Sequence, residues 1–513
     1  MKIHINVWII VILLAGFFLR NHHLDQVVVT NDEKISIAIA NGLSLGYDTI
    51  PTANNELRVF ESSIFAESNS LRAVASATID DTGNAFIYYA GLHFWQKLTT
   101  PAARHLRFFS MLFGLSTILL LFNFLKNEVN VTKAVLTASL LTFHPVLIEF
   151  DTVIRGYSMA IFFSTAATIS FYHLVTKAGS RFSIILYGAL VGFSILTHAL
   201  TFYVIIGHMI FLLFRPEKKL MIKKMIPSAG LAILIVGSWI ITGQVLSSGS
   251  DSASGSGVTT SLFHLYDDIQ RKQNVSENSS EHNSGENGAT WPVSIRSEYA
   301  IISLGSYLSA MTGNSLELIG LKLSLKFILV VVLLGVLVFA IRRIRTAYPN
   351  ELLLFLYITI GSLTSASVLA LISGHMTSFD YYGFVIPSST ALIGILCARQ
   401  FTIPEESDRM IRVILLVSIL SIPLSSIGVV NNRNVPEGKL SDPYFHANSM
   451  IEHHGTGYDT IVLPTLYDAK LVSVYLSDKN RVMIIDGNTR GGIRVRNRPA
   501  KDRELMLMKG QYR

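Results

Sequence analysis

The chain has 513 residues, 50% of them hydrophobic and only 15% charged, with a mean hydropathy of +0.45. A soluble protein of this length carries roughly a quarter charged residues, and the deficit is what a bilayer demands, because a charge at mid-membrane costs several kcal/mol. The single cysteine, Cys397, falls in an apolar run and excludes a disulfide framework or a thiolate metal site. The formal charge of +7 gathers in short basic loops, so orientation in a membrane accounts for it and nucleic-acid binding is not indicated.

Taken in order, apolar stretches long enough to cross or nearly cross a bilayer cover residues 6–20, 105–125, 133–150, 152–175, 182–197, 199–214, 225–243, 322–341, 351–372, 382–398 and 411–429. The first resembles a signal peptide, but Arg20, Asn21, His22 and His23 follow where a small-residue cleavage site belongs, so it reads as an uncleaved span. Lys126 with Lys133, Lys177 with Arg181, the run Arg215 to Lys224, Arg342 to Arg345 and Arg399 to Arg412 fall in alternate connections. Assigning them to the cytoplasm puts the N-terminus inside and the C-terminus outside.

Three polar pieces then lie outside. Residues 21–104 form a first loop with acidic residues and two expected surface helices, one of them Asn84–Leu98. Residues 244–300 are rich in Ser, Gly and Asn, with the low hydrophobicity of a mobile loop. Residues 431–513 alternate helix-like and strand-like segments, among them Thr460–Leu463 and Val482–Ile485, and suggest a small α/β domain. The expected fold is an α-helical polytopic membrane protein of about eleven spans over residues 1–430, with extracytoplasmic loop helices and this appended domain. No internal repeat appears, against an inverted-repeat transporter.

The sharpest chemical feature is Asn31-Asp32-Glu33, just beyond the first span. Two adjacent carboxylates at a membrane surface suit a general base with a helper, or a weak divalent-cation site. They equally suit a helix start, with Thr30 or Asn31 as N-cap and acids in the first turn. A second pair, Asp80 and Asp81, precedes the aromatic helix and is also readable as a turn and cap. Cations gather on the same outer side: Arg104 and Arg107 at the second span, and Arg155 in the segment Glu149 to Tyr157. His144, His198, His375 and Asp380 join them. Several such groups around acids suggest a pocket for an anion, and arginine suits phosphate because its fork donates two hydrogen bonds at once. A sugar on a lipid phosphate fits: phosphate leaves readily, cations offset its growing charge, and a carboxylate activates an acceptor hydroxyl.

In the order and topology of these motifs, the chain resembles the GT-C glycosyltransferases, in their bacterial protein-mannosyltransferase and aminoarabinose-transferase-like branch. The resemblance rests on Asp32-Glu33 after the first span, on Arg104 to Gly114, on His144-Pro145 through Arg155-Gly156-Tyr157-Ser158, and on Leu196-Thr197-His198-Ala199. It implies Asp32 as the catalytic carboxylate supported by Glu33, and Arg155, with Arg104, Arg107 and His198, at the donor phosphate. His144, Tyr157, His375 and Asp380 are further candidates. The chain departs from the family pattern where Asp380-Tyr381-Tyr382 replaces an Arg-Tyr and where Asp81 to Phe86 replaces a His-Pro-Pro stretch. The resemblance implies an inverting glycosyltransferase of the bacterial cytoplasmic membrane. It would take a polyprenyl-phosphate-linked donor and a glycan, lipid or protein acceptor on the extracytoplasmic face, with metal dependence open. The rival readings are a flippase of lipid-linked oligosaccharide, a polysaccharide polymerase or ligase, and an inactive scaffold of the same fold.

Overall fold

The computed structural model describes residues 2–22, 24, 29–43, 58–61, 70–81, 84–99, 102–177, 180–215, 217–248, 350–373, 383–402, 416, 419–420, 422–427, 429–430, 460–463, 481–484 and 504–506. The expected span at 322–341, the loop 249–300, and the candidates His375 and Asp380 lie outside these residues. The described chain is mostly helical and divides into two compact units. One takes its described residues from Met1–His22, Ser110–Ile241 and Thr259–Val430, the other from His23–Phe109, Thr242–Val258 and Asn431–Arg513.

The first unit is a bundle of apolar helices. It opens with α1 (Lys2–Asn21) and takes in most of a helix, Ala103–Glu128, which begins in the second unit and is α5 below. Then come α6 (Val131–Thr142), α7 (Pro145–Asp151), α8 (Tyr157–Thr176), α9 (Arg181–Thr197), a 3-10 turn (Ala199–Thr201) and α10 (Phe202–Leu213). It ends with α11 (Lys218–Ser248), α12 (Asn350–Ser373) and α13 (Ile386–Thr402). Among the described residues Ala103–Glu128, Tyr157–Thr176 and Lys218–Leu246 are long and apolar enough to cross a membrane, and α6 with α7 adds a fourth if that bent pair is one span.

The expected third span does not run straight to 150. His144 takes an extended conformation (φ −72°, ψ 116°) ahead of Pro145, which occupies the first position of α7. A proline there loses no hydrogen bond, yet it cannot continue the helix before it. The two helices meet at 62°. Side-chain packing holds the bundle, with Phe122, Phe150, Phe171, Phe211 and Phe355 almost wholly buried. α10 crosses α12 where two glycines meet: a Cβ on Gly361 lies 2.8 Å from the Gly207 Cα, so neither position has room for a side chain.

The second unit contains α2 (Asn31–Ala40), β1 (Arg58–Glu61), α3 (Leu71–Asp81), α4 (Phe86–Leu98) and the first turns of α5. It also contains β2 (Thr460–Leu463), β3 (Arg481–Ile484) and β4 (Glu504–Met506). The strand-like segments of the tail are strands; the helix-like segments between them lie outside the described residues. The sheet runs β1-β3-β2-β4, with β2 parallel to β3 and β4. β1 is antiparallel to β3, with Val59 opposite Met483. The strands after residue 430 are thus completed by one from the first loop, a pairing that hydrophobic pattern does not reveal because it says nothing of which distant segment supplies an edge.

Candidate active site

In the second unit the acidic pair opens α2. Thr30 is its N-cap: the Thr30 hydroxyl accepts from the Glu33 backbone N–H at 3.3 Å, and the Glu33 carboxylate accepts from the Thr30 N–H at 2.8 Å. This capping box satisfies two donors that a helix start leaves unpaired. The Glu33 carboxylate also accepts both arms of the Arg107 fork, from Nε at 2.9 Å and from Nη2 at 3.0 Å. Arg107 Nη1 donates to the Leu24 carbonyl at 3.0 Å, and both side chains of the pair are sealed from solvent. Successive helical residues point about 100° apart. With Glu33 turned inward, Asp32 is left on the exposed side of the same turn. The adjacent acids therefore divide the work: Glu33 fixes the helix, and Asp32 is accessible.

Around this turn the packing is tight. α2 lies against α3 and α4, and Ile37, Ala38, Ile39 and Ala40 are fully buried. The His93 Nδ1 of α4 hydrogen-bonds the Ala40 carbonyl at 2.9 Å. Trp95 stacks beside Phe108, and its indole N–H donates to the His105 carbonyl at 2.8 Å, which ties α4 to the start of α5. Asp80 and Asp81 close α3 rather than opening α4, whose N-cap is Ala85 with no side-chain cap. Carboxylates at a helix C-terminus face the negative end of its dipole, so a capping role does not account for that pair.

In the first unit, α7 and α8 are joined by the short segment that carries Arg155, which is half-buried. Ser110 of α5 approaches the Arg155 carbonyl at 3.5 Å. His198, at the end of α9, lies against Tyr157 and Phe384, with ring centroids 5.7 and 4.8 Å apart. Burial, and then the Arg155 charge, pull its imidazole down to about 3, so it is neutral at ordinary pH. Its Nδ1 accepts from the Leu200 N–H at 3.3 Å, which leaves the proton on Nε2. His198 can therefore donate a hydrogen bond there, but it is not a second cation beside Arg155.

The other candidates fall as follows. Arg104 is exposed near the start of α5. Arg107, expected at a donor phosphate, has three of its donors occupied by Glu33 and Leu24. His144 is wholly buried at the bend between α6 and α7, and Tyr157 packs on Phe150 at 4.9 Å. Among the described residues no three His, Cys, Asp or Glu side chains gather as a metal site. Neither Arg20 nor Asp151 stands out in the sequence as a site residue. Arg20 Nε donates to Asp151 Oδ2 at 2.7 Å, Nη1 donates to the Thr142 carbonyl at 3.0 Å, and both side chains are buried. A cation ending an apolar span and an acid four residues before Arg155 were the available signals, but each alone reads as a surface residue.

Comparison with known proteins bears on the fold and the family. Residues 86–241 match the family model described as dolichyl-phosphate-mannose-protein mannosyltransferase. ArnT from Cupriavidus metallidurans in the apo state is similar in structure, with a TM-score of 0.51 at 12% identity, over 93% of this chain and 86% of ArnT. ArnT bound to undecaprenyl phosphate gives 0.52 at 12% identity, over 94% of this chain and 85% of that one. The Archaeoglobus fulgidus oligosaccharyltransferase in its apo form gives 0.47 at 10% identity, over 94% of this chain and 64% of its own. No curated protein matches in sequence. The matched segment starts at the aromatic helix α4 and runs through Arg155 and His198 into α11, and the likeness to ArnT, over 93% of the chain, is one of fold.

Proposed function

We propose that the chain transfers a sugar from a polyprenyl-phosphate donor to an acceptor hydroxyl, with inversion, and that Asp32 takes the acceptor proton. The observation that carries this reading is the division of labour at α2, where Glu33 is bound to Arg107 and Asp32 is exposed on the turn so fixed. Arg155, on its short segment at the head of α8, is the cation for the donor phosphate, and Arg104 supplies charge at the start of α5. The fold shared with ArnT bound to undecaprenyl phosphate supports that lipid class for the donor.

In the reaction the acceptor oxygen attacks the anomeric carbon on the face opposite the phosphate. The bond from that carbon to the phosphate oxygen breaks, and its electron pair leaves on polyprenyl phosphate. Asp32 receives the acceptor proton and returns it to water. The sugar carries oxocarbenium character midway, and Arg155 offsets the charge growing on the phosphate. A neutral His198, with its proton on Nε2, can hydrogen-bond the donor without adding to that charge. The setting proposed is a bacterial cytoplasmic membrane, with about eleven spans, an α/β tail and the site on the extracytoplasmic face.

The experiment uses purified protein in liposomes and a panel of undecaprenyl-phosphate-linked sugars with radiolabelled glycosyl groups, offered to envelope glycan, lipid and peptide acceptors. Labelled acceptor and undecaprenyl phosphate formed one for one are the expected outcome. Movement of intact donor across the bilayer with no bond broken would contradict the reading.

A further inference from the structure

Arg20, Asp151 and Ser158 form a buried group that the chemistry above does not use. Arg20 lies in the last turn of α1. Besides its bond to Asp151, its Nη1 also reaches the Gly16 carbonyl one turn back, at 3.3 Å. The Thr142 carbonyl it holds belongs to the last residue of α6. That carbonyl lies where α6 is broken off by Pro145 and has no continuing helix to supply an N–H. Asp151 is the last residue of α7, and its second oxygen, Oδ1, accepts from the Ser158 hydroxyl in the first turn of α8 at 2.6 Å. On the remaining side stands Gly114 of α5: a Cβ there would lie 2.1 Å from the carboxylate. One ion pair thus joins α1, α6, α7 and α8, against a gap in α5 cut to fit it.

Its placement is informative. Asp151 and Ser158 bracket residues 152–157: Oδ1 ties Ser158 to Asp151 across the segment that presents Arg155, and Oδ2 anchors Asp151 itself to Arg20. We propose that the Arg20–Asp151–Ser158 group is a positioning strut that sets Arg155 for the donor phosphate. The proposal rests on the reading of Arg155 given above. A buried pair of this kind adds little stability over an apolar replacement. Its geometry, two helix ends tied through one carboxylate, suits the fixing of a short connection. A contact that must match a phosphate tolerates little displacement, since about 1 Å of misplacement costs on the order of a hundredfold in rate.

The test measures undecaprenyl phosphate binding to the full chain in nanodiscs, and donor and acceptor KM in liposomes, for wild type, Asp151→Asn, Ser158→Ala, Ser158→Thr and Arg155→Ala. The expected result is a rise of about thirtyfold in the lipid Kd and donor KM for Asp151→Asn, the scale of a hydrogen bond to a charged group lost at the phosphate. Ser158→Ala, which keeps the ion pair and so is the variant that decides if Asp151→Asn does not fold, is expected to lose about tenfold. Ser158→Thr retains the hydroxyl and should stay near wild type, and acceptor KM should not move in any of them. A group that only stabilised the fold would lower the amount of active protein and leave both KM values alone. Wild-type lipid affinity in Ser158→Ala and in any folded Asp151→Asn, with affinity lost in Arg155→Ala, would overturn the strut and leave the donor reading standing. Undiminished affinity in Arg155→Ala, or no binding by wild type, would overturn the donor reading and the strut with it.

Discussion

Each unit holds an arginine–carboxylate pair sealed from solvent, and the two pairs are built differently. Arg107 meets Glu33 with two parallel hydrogen bonds, and Glu33 also closes a capping box, so that pair fixes one helix start. Arg20 gives Asp151 a single hydrogen bond and two to backbone carbonyls, while the other oxygen of Asp151 goes to Ser158. The first arrangement is saturated and local. The second spreads over several helix ends and depends on each. In both, the buried carboxylate leaves a neighbouring residue exposed or half-exposed, Asp32 in one unit and Arg155 in the other, and those two neighbours are the candidates for chemistry.

Breaking the saturated pair should have the largest effect. Glu33→Ala leaves the Arg107 charge buried without its partner, a defect that costs about 3–5 kcal/mol, and the loss of melting temperature in detergent measures it. Exchanging the two residues, Glu33→Arg with Arg107→Glu, should not rescue the protein, because glutamate at position 107 cannot cap α2. A full rescue would show that charge alone holds the pair. Arg155→Ala comes next, with an expected loss of about a hundredfold in kcat/KM for the donor, the scale of one electrostatic donor at a reacting group. Arg104→Ala, on the exposed start of α5, should cost only a few-fold.

Two smaller effects sharpen the contrast between the units. In the second, Ala85 carries φ 65° and ψ 22°, the left-handed region, at the N-cap of α4. A side chain there is strained, so Ala85→Gly should raise stability by up to about 1 kcal/mol once the added freedom of the unfolded chain is subtracted; chemical denaturation reads it. In the first unit, the His198 imidazole is held down to about 3. Its unfolded counterpart takes a proton near pH 6.5, so between those values the unfolded state binds more protons and stability falls on acidification. The melting temperature should be flat above pH 7 and decline below it, and His198→Gln should show a shallower decline.

Much of this was legible in the chain. Apolar stretches located α1, α5, α8, α9, α10 and α12 within a few residues, because a long apolar run bounded by polar residues shows in composition alone. A helix start at Thr30 or Asn31 was readable from the cap residues and the acids after them, though not which of the two is the cap, and a helix over Asn84–Leu98 was readable too. The bend at His144 was only half visible: the proline marked an end, but not that the chain continues as α7 to deliver Asp151. The partners of Glu33 and Asp151 were not visible at all. Arg107 lies 74 residues from Glu33 and Arg20 lies 131 from Asp151, and periodicity carries no information about contacts at such separations. The same limit hid β1. Arg107 accordingly read as a phosphate ligand, when its fork is taken by a carboxylate of the protein.

The central claim is that two adjacent acids differ in kind, with Asp32 reactive and Glu33 structural. The most direct measurement compares Asp32→Asn with Glu33→Gln for sugar transfer and for melting temperature, at matched amounts of folded protein in liposomes. The account predicts that Asp32→Asn melts as wild type does and loses transfer by about 10²–10⁴-fold, the range of a lost general base. It predicts that Glu33→Gln loses stability first, and keeps activity in proportion to what remains folded. Full transfer by Asp32→Asn, or a folded Glu33→Gln with none, would contradict it.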